Sequence, residues 1–90
     1  MNKIVWKHVI PDAGFVFKVS LPEGAEIIHV GYLHPNAFFW AWVDPNAPLW
    51  DREFIVMATG IALPEGKFKH QGSFIIDRDA TIWHLFEKLG

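Results

Sequence analysis

Apolar and polar residues alternate along most of this chain, and a period of two predicts short β-strands. Lys3 to Val9 sets Ile4, Trp6 and His8 against Val5, Lys7 and Val9, and reads as a strand that stops at Pro11-Asp12-Ala13-Gly14. Phe15, Phe17 and Val19 then share a side opposite Lys18 and Ser20, so the first two strands are expected to form a hairpin. Leu21-Pro22-Glu23-Gly24 suits a type I turn, with proline second and glycine fourth. It leads into a third strand, Glu26 to Val30, in which Ile28 and Val30 share a face. His34-Pro35-Asn36 breaks the chain again.

Two stretches lack a polar side. In one, Phe38, Trp40 and Trp42 alternate with Phe39, Ala41 and Val43; in the other, Phe54, Val56 and Ala58 alternate with Ile55, Met57 and Thr59. Both read as strands covered on both faces. Between them runs a proline-rich polar loop, Asp44 to Arg52, because the prolines lack amide hydrogens and the Asx side chains favour turns. Gly60 suggests a bulge or a close backbone approach to another strand or a ligand, the bulge being the plainer reading. Leu63-Pro64-Glu65-Gly66 repeats the earlier turn word, but four residues do not make a duplication. Lys67 to His70 reads as a polar connection or edge, Ser73 to Ile76 as a short strand, Asp77-Arg78-Asp79 as a tight turn and Ala80 to Phe86 as a closing strand. Trp83 to Leu89 has room for one or two terminal helical turns. About seven strands with regular turn signals predict a single all-β domain over 1–90, a small antiparallel β-sandwich or barrel.

Composition adds three constraints. Half of the 90 residues are hydrophobic, with five Trp and eight Phe, which is more apolar side chain than so small a domain readily hides; a homo-oligomer is expected. There is no cysteine, so disulfides, thiolate zinc sites and thiol nucleophiles are excluded. A formal charge of −2 argues against a basic surface for bulk nucleic acid, though a ligand with one or two phosphates remains open. The N-terminal residues lack the long apolar core of a secretion signal, and no run is long enough to cross a bilayer as a helix, which predicts a soluble, unexported protein without membrane contact.

No glycine-rich phosphate loop, Gly-x-Ser-x-Gly elbow or His-Glu-x-x-His helix is present, so the chain is expected not to be an enzyme, and to use no metal and no cofactor. His8, His29 and His84 sit among apolar strand residues, where a neutral, hydrogen-bonded core histidine is the ordinary reading. Asp44 before Pro45 is a natural Asx-turn residue, and Asp51 beside Arg52 a natural ion-pair partner. Arg52 and Arg78 are the two arginines; their forks suit phosphate or carboxylate, while the plainer reading is a surface salt bridge with Asp51 or Glu53 and with Asp77 or Asp79.

Several segments together are distinctive: Pro22-Glu23-Gly24-Ala25-Glu26-Ile27-Ile28-His29-Val30, Trp40-Ala41-Trp42-Val43-Asp44-Pro45-Asn46-Ala47-Pro48-Leu49, Ala58-Thr59-Gly60, Gly72-Ser73-Phe74 and Trp83-His84-Leu85-Phe86-Glu87. With them the chain resembles a widespread family of small bacteriophage proteins that share a Trp-Ala-x-Val-Asp-Pro-x-Ala-Pro-Leu core and a Trp-His-Leu-Phe-Glu end. The resemblance implies a phage protein made in the cytoplasm of an infected bacterium. Small phage proteins of this kind include anti-defence sponges that trap cyclic nucleotide immune signals without cleaving them. In that reading Trp40 or Trp42, together with Trp50, are stacking faces, Asp44 and Asn46 meet a base edge, and Arg52, Thr59 and Arg78 meet phosphate. The ligand would be nucleotide-like, such as a cyclic dinucleotide, whose near two-fold symmetry two identical subunits would match. The alternative is a protein-interaction module, a phage inhibitor or accessory whose exposed aromatics contact a host or virion protein.

Overall fold

A computed structural model describes residues 2–76 and 80–90. Its strands, in chain order, are β1 (Ile4–Ile10), β2 (Phe17–Pro22), β3 (Glu26–Leu33), β4 (Asn36–Val43), β5 (Leu49–Ala58), β6 (Phe68–Ile75) and β7 (Ile82–Lys88), with no helix among the described residues. They form two antiparallel sheets, one ordered β1-β4-β3 and the other β2-β5-β7-β6. The first is called sheet A and the second sheet B. The fold is the expected all-β sandwich.

One face of each sheet builds the core. Phe39, Ala41 and Val43 from β4 and Leu21, Phe54 and Leu85 from sheet B are all fully buried. The Phe39 and Phe54 rings meet with centroids 5.3 Å apart, joining the two layers. Burying each such ring contributes about 1.5 to 3 kcal/mol, so this contact anchors the sandwich. On one side the layers close tightly: a Cβ on Gly72 in β6 would lie 2.5 Å from the Val30 side chain in β3, so only glycine lets the two strands approach.

Several local expectations are corrected. β1 and β2 are not a hairpin, since β1 pairs with β4 and β2 with β5. The 11–16 connection instead crosses from one sheet to the other, pinned where Gly14 N–H donates to Val56 O at 2.9 Å. Phe15, expected in a strand, lies on this connection and is 75% exposed. The turn after β2 runs one residue later than expected, closed by Ala25 N–H to Pro22 O, because Leu21 and Pro22 are still buried strand residues. In β3 the register shifts between Ile27 and His29, so Ile28 turns outward while Val30 stays in the core. Gly60 is no bulge: it takes a φ of +90° in a turn closed by Ile61 N–H to Ala58 O.

Three strand boundaries also move. β5 begins at Leu49, which shortens the expected loop to 44–48 and puts Trp50, Asp51 and Arg52 in the ladder with Leu21, Ser20 and Val19. β6 begins at Phe68 and takes in the expected polar edge. The C-terminal stretch forms no helical turn: β7 runs to Lys88, which pairs with Glu53, because its strict alternation puts Leu85 and Glu87 inward together. The expected turn Asp77-Arg78-Asp79 lies outside the described residues.

Candidate functional site

The residues singled out in the sequence fall into three separate places. Asp44 and Asn46 close the β4–β5 loop on themselves: Asn46 N–H donates to Asp44 Oδ1 at 3.0 Å and Ala47 N–H to Asp44 O at 3.1 Å. This is an Asx turn, the plainer of the two readings. Trp50 and Arg52 follow on the inward side of β5, at the rim of an open hollow of about 480 Å³ bordered by the Pro22–Ala25 turn, Asp51 and Glu87.

In that hollow Arg52 is already occupied. Its Nε and Nη2 donate to the two Glu87 oxygens at 2.7 Å each, and Nη1 donates to Ala25 O at 2.6 Å. Gln71 Nε2 adds a donor to Glu87 at 2.9 Å, and the guanidinium lies 5.7 Å from the Phe54 ring centroid. The partner is thus Glu87, 35 residues away, rather than Asp51 or Glu53. Asp51 instead accepts from the Ser20 hydroxyl at 2.6 Å. A bidentate carboxylate neutralises the arginine, and Glu23, Asp51 and Glu87 make the hollow acidic on balance. It is a poor place for phosphate.

Thr59 lies on the outer face of sheet B, at the end of a hydrogen-bonded chain. Its hydroxyl donates to Ile82 O at 3.1 Å and lies 2.7 Å from His84 Nε2; His84 Nδ1 is 2.7 Å from Ser73 Oγ, which is 3.0 Å from His70 Nε2. The order of donors follows from the first bond. With its proton on the carbonyl, Thr59 accepts from His84 Nε2–H; His84 Nδ1 then accepts from Ser73, and Ser73 accepts from His70. Every link is satisfied internally, so Thr59 is a positioning partner for His84 rather than a free phosphate donor. Beside the chain, Met57, Ile61, Leu63 and Phe86 line a shallow hollow, where the 59–67 connection runs along this face.

The outer face of sheet A is different. There the β4 row Phe38, Trp40, Trp42 stands between Val5, Lys7 and Val9 of β1 and Glu26, His29 and Leu33 of β3, as the ladder registers require. Trp42 is 43% exposed, and Val5, Val9 and Leu33 are about half exposed. Lys3 Nζ sits 4.6 Å from the Trp42 ring centroid, and Lys7 Nζ 4.6 Å from that of Phe38. His29 lies 5.1 Å from Trp40, and Phe38 6.1 Å from Trp40. A row of rings flanked by cations therefore lines this face, with Trp42 exposed and Phe38 and Trp40 half-buried. This corrects the expectation that β4 is covered on both faces.

A family model described as a domain of unknown function, DUF7352, matches residues 1–90. The chain belongs to the DUF7352 family. No curated protein and no solved structure matches it. Of the residues expected at a site, this DUF7352 domain brings Trp50 and Arg52 together, sends Trp42 and Thr59 to opposite outer faces, and encloses Asp44 and Asn46 in their own turn; Arg78 lies outside the described residues. Sequence reasoning missed Lys3, Lys7, Phe38 and His29. Lys7 was legible as sharing a side with Val5 and Val9, but nothing in the pattern showed that β4 would pair beside it.

The histidines separate in the same way. His8 faces inward and stacks on Phe39 at 5.2 Å, and burial holds its pKa below the ordinary value of 6.5. Its Nε2 has no hydrogen-bond partner, so it is a core histidine kept neutral by desolvation rather than by a bond. His29 is exposed, and no group of three His, Asp or Glu side chains among the described residues is placed to hold a metal ion.

Proposed function

We propose that this DUF7352 protein binds a nucleotide-like ligand without transforming it, using the outer face of sheet A. Bases would stack on Trp40 and Trp42, at about 1 to 3 kcal/mol each, while Lys3 and Lys7 meet phosphate. The observation that carries the reading is the pairing of cations with rings on this outer face, Lys3 over the exposed Trp42 and Lys7 over the half-buried Phe38. The resemblance to small phage proteins favours one ligand class, a cyclic nucleotide immune signal sequestered in the cytoplasm of an infected bacterium. The surface assigned here replaces the loop around Arg52, whose guanidinium is neutralised by Glu87.

The expected homo-oligomer fits the same face. Glu26 pairs with Trp42 from the β3 side, while Lys3 reaches over Trp42 from the β1 side. Two copies related by a two-fold axis along the strands would set their aromatic rows facing across a ligand of matching symmetry, with Lys3 of each turned to its phosphates. A second reading, docking of a different protein, is favoured by the exposed aliphatic residues Val5, Val9 and Leu33 beside the rings.

Calorimetry against a panel of cyclic dinucleotides and cyclic ADP-ribose isomers tests the proposal. One compound should bind, raise the thermal midpoint and be recovered intact after heat denaturation. Binding should weaken as salt rises. A linearised or hydrolysed product would make the protein an enzyme and overturn the reading. Silence across the panel would overturn the reading and leave docking of a different protein in its place.

A further inference from the structure

The outward side of sheet B carries the hydrogen-bonded chain Thr59–His84–Ser73–His70, and its two histidines belong neither to the sheet A face nor to the hollow at Arg52. A bulge assembles it. His70 and Ser73 are three residues apart on β6, a spacing that puts the residues of a regular strand on opposite faces. The register shifts between His70 and Gly72, so that His70 stands opposite Phe86 and Ser73 opposite His84, with Leu85 alone between those partners on β7. Gln71 turns inward to Glu87, and His70 and Ser73 come out on one face. The Phe86 ring packs against both imidazoles, 5.4 Å from His70 and 6.5 Å from His84.

Two imidazole nitrogens converge there on one atom: His70 Nε2 lies 3.0 Å and His84 Nδ1 2.7 Å from Ser73 Oγ. Thr59 decides which His84 nitrogen is bare. Its backbone N–H and its hydroxyl both donate to Ile82 O, at 3.0 and 3.1 Å, so its oxygen accepts the His84 Nε2–H at 2.7 Å. The lone pair of His84 Nδ1 is then aimed at the Ser73 hydroxyl. An imidazole that gives its far N–H to a fixed acceptor, and so holds its other nitrogen bare and oriented, has the form in which histidine ligates a metal ion. His70 and Ser73 are exposed, and a rotation of the Ser73 side chain clears the space between the two nitrogens.

We propose that His70 Nε2 and His84 Nδ1 bind a divalent transition-metal ion of the zinc, nickel or copper class, with Thr59 as the residue that positions His84. Imidazole suits these ions, and zinc draws each nitrogen to about 2.0 to 2.1 Å. To ligate, His70 moves its ring proton from Nε2 to Nδ1, a change of tautomer that leaves the imidazole neutral. The described residues bring no third His, Asp or Glu to the ion, and water or an incoming ligand takes the positions they leave. This site lies on the opposite outer face from the aromatic row of sheet A, so either can fail without the other.

The test is a titration of the isotope-labelled protein with Zn²⁺, followed by the nitrogen and carbon-bound proton resonances of the histidine rings. Before metal is added, His84 should show the Nε2–H tautomer. Zn²⁺ should then shift the His70 and His84 signals together and saturably at one equivalent, well before those of His29 and His34, the other exposed histidines, move. His70→Gln, at an exposed position, should abolish the saturable shift at His84. Thr59→Val should weaken Zn²⁺ binding about tenfold or more, and Thr59→Ser, which keeps the hydroxyl, should restore it. A merely structural Thr59 would change the thermal midpoint and leave the Zn²⁺ affinity alone. An Nδ1–H tautomer at His84 in the metal-free protein would overturn the assignment, as would unmoved His70 and His84 signals. Shifts at His29 and His34 that run level with those of His70 and His84 would also overturn it, and would mean an adventitious ion only. These three readings use the wild-type protein and stand even if a variant does not fold.

Discussion

β4 and β5 carry the same kind of sequence and meet opposite fates. Each is apolar on both sides, and each lies inside its sheet, β4 between β1 and β3, β5 between β2 and β7. In β5, Phe54 and Val56 fill the core while Ile55 and Met57 on the other side are also buried, at 1% and 8% exposure. The 59–67 connection lies along that outer side, with Ile61 and Leu63 sharing a hollow with Met57. No described segment does this for β4. Its inward residues Phe39, Ala41 and Val43 are fully buried, and Trp42 on the other side stays open. A two-faced apolar strand therefore states a demand for cover without saying who meets it. Where the chain does not, a ligand or a second molecule can.

Substitutions along these strands should break the comparison in a fixed order. Phe39→Ala, on the inward side of β4, should cost about 3 to 5 kcal/mol, read as a loss of denaturation midpoint or of folding altogether. Ile55→Ala, on the outward side of β5, should cost about 3 kcal/mol, because that side is as buried as a core. Arg52→Ala should cost about 2 to 3 kcal/mol, since it strands the buried Glu87 carboxylate without its charged donor, and Glu87→Gln should be milder. Trp42→Ala, on the outward side of β4, should cost no more than about 1 kcal/mol, chiefly its contact with Lys3. Equal losses at Ile55 and Trp42 in urea titrations would erase the distinction.

The inward side of sheet A also sets a pH dependence. Because desolvation lowers the His8 pKa, the unfolded chain binds a proton at this residue before the folded one does. Its full contribution is therefore present above about pH 6.5, and stability falls as pH drops through that value toward the lower folded one. His8→Phe should flatten this slope and leave stability at pH 8 nearly unchanged. A slope unaltered by the substitution would assign the effect to other groups.

Much of the architecture could be read from the residues because period-two alternation is a local property. It located all seven strands and the Asx turn at Asp44, whose chemistry lies within three residues. What could not be read depended on partners distant in sequence. Arg52 finds Glu87 only because β5 pairs with β7, and the local candidates Asp51 and Glu53 point to the other side of the strand. Trp83 to Leu89 permitted a helical turn until pairing with β5 decided for a strand. The outward row on β4 was hidden for the same reason: hydrophobicity says that Trp42 favours burial, while the topology lays no described strand or connection over it. Lys3 and Lys7 gained meaning only once β1 was placed beside β4.

The central claim is that the open side of β4 is a ligand surface, and paired calorimetry of the wild-type protein and Trp42→Ala against the cyclic nucleotide panel tests it most directly. The account predicts one compound that binds the wild-type protein and loses about tenfold or more in affinity to the variant, as removal of one base-stacking ring should cause, while the thermal midpoint of the unliganded variant stays close to that of the wild-type protein. Undiminished affinity in Trp42→Ala, or no binding by any member of the panel, would contradict it.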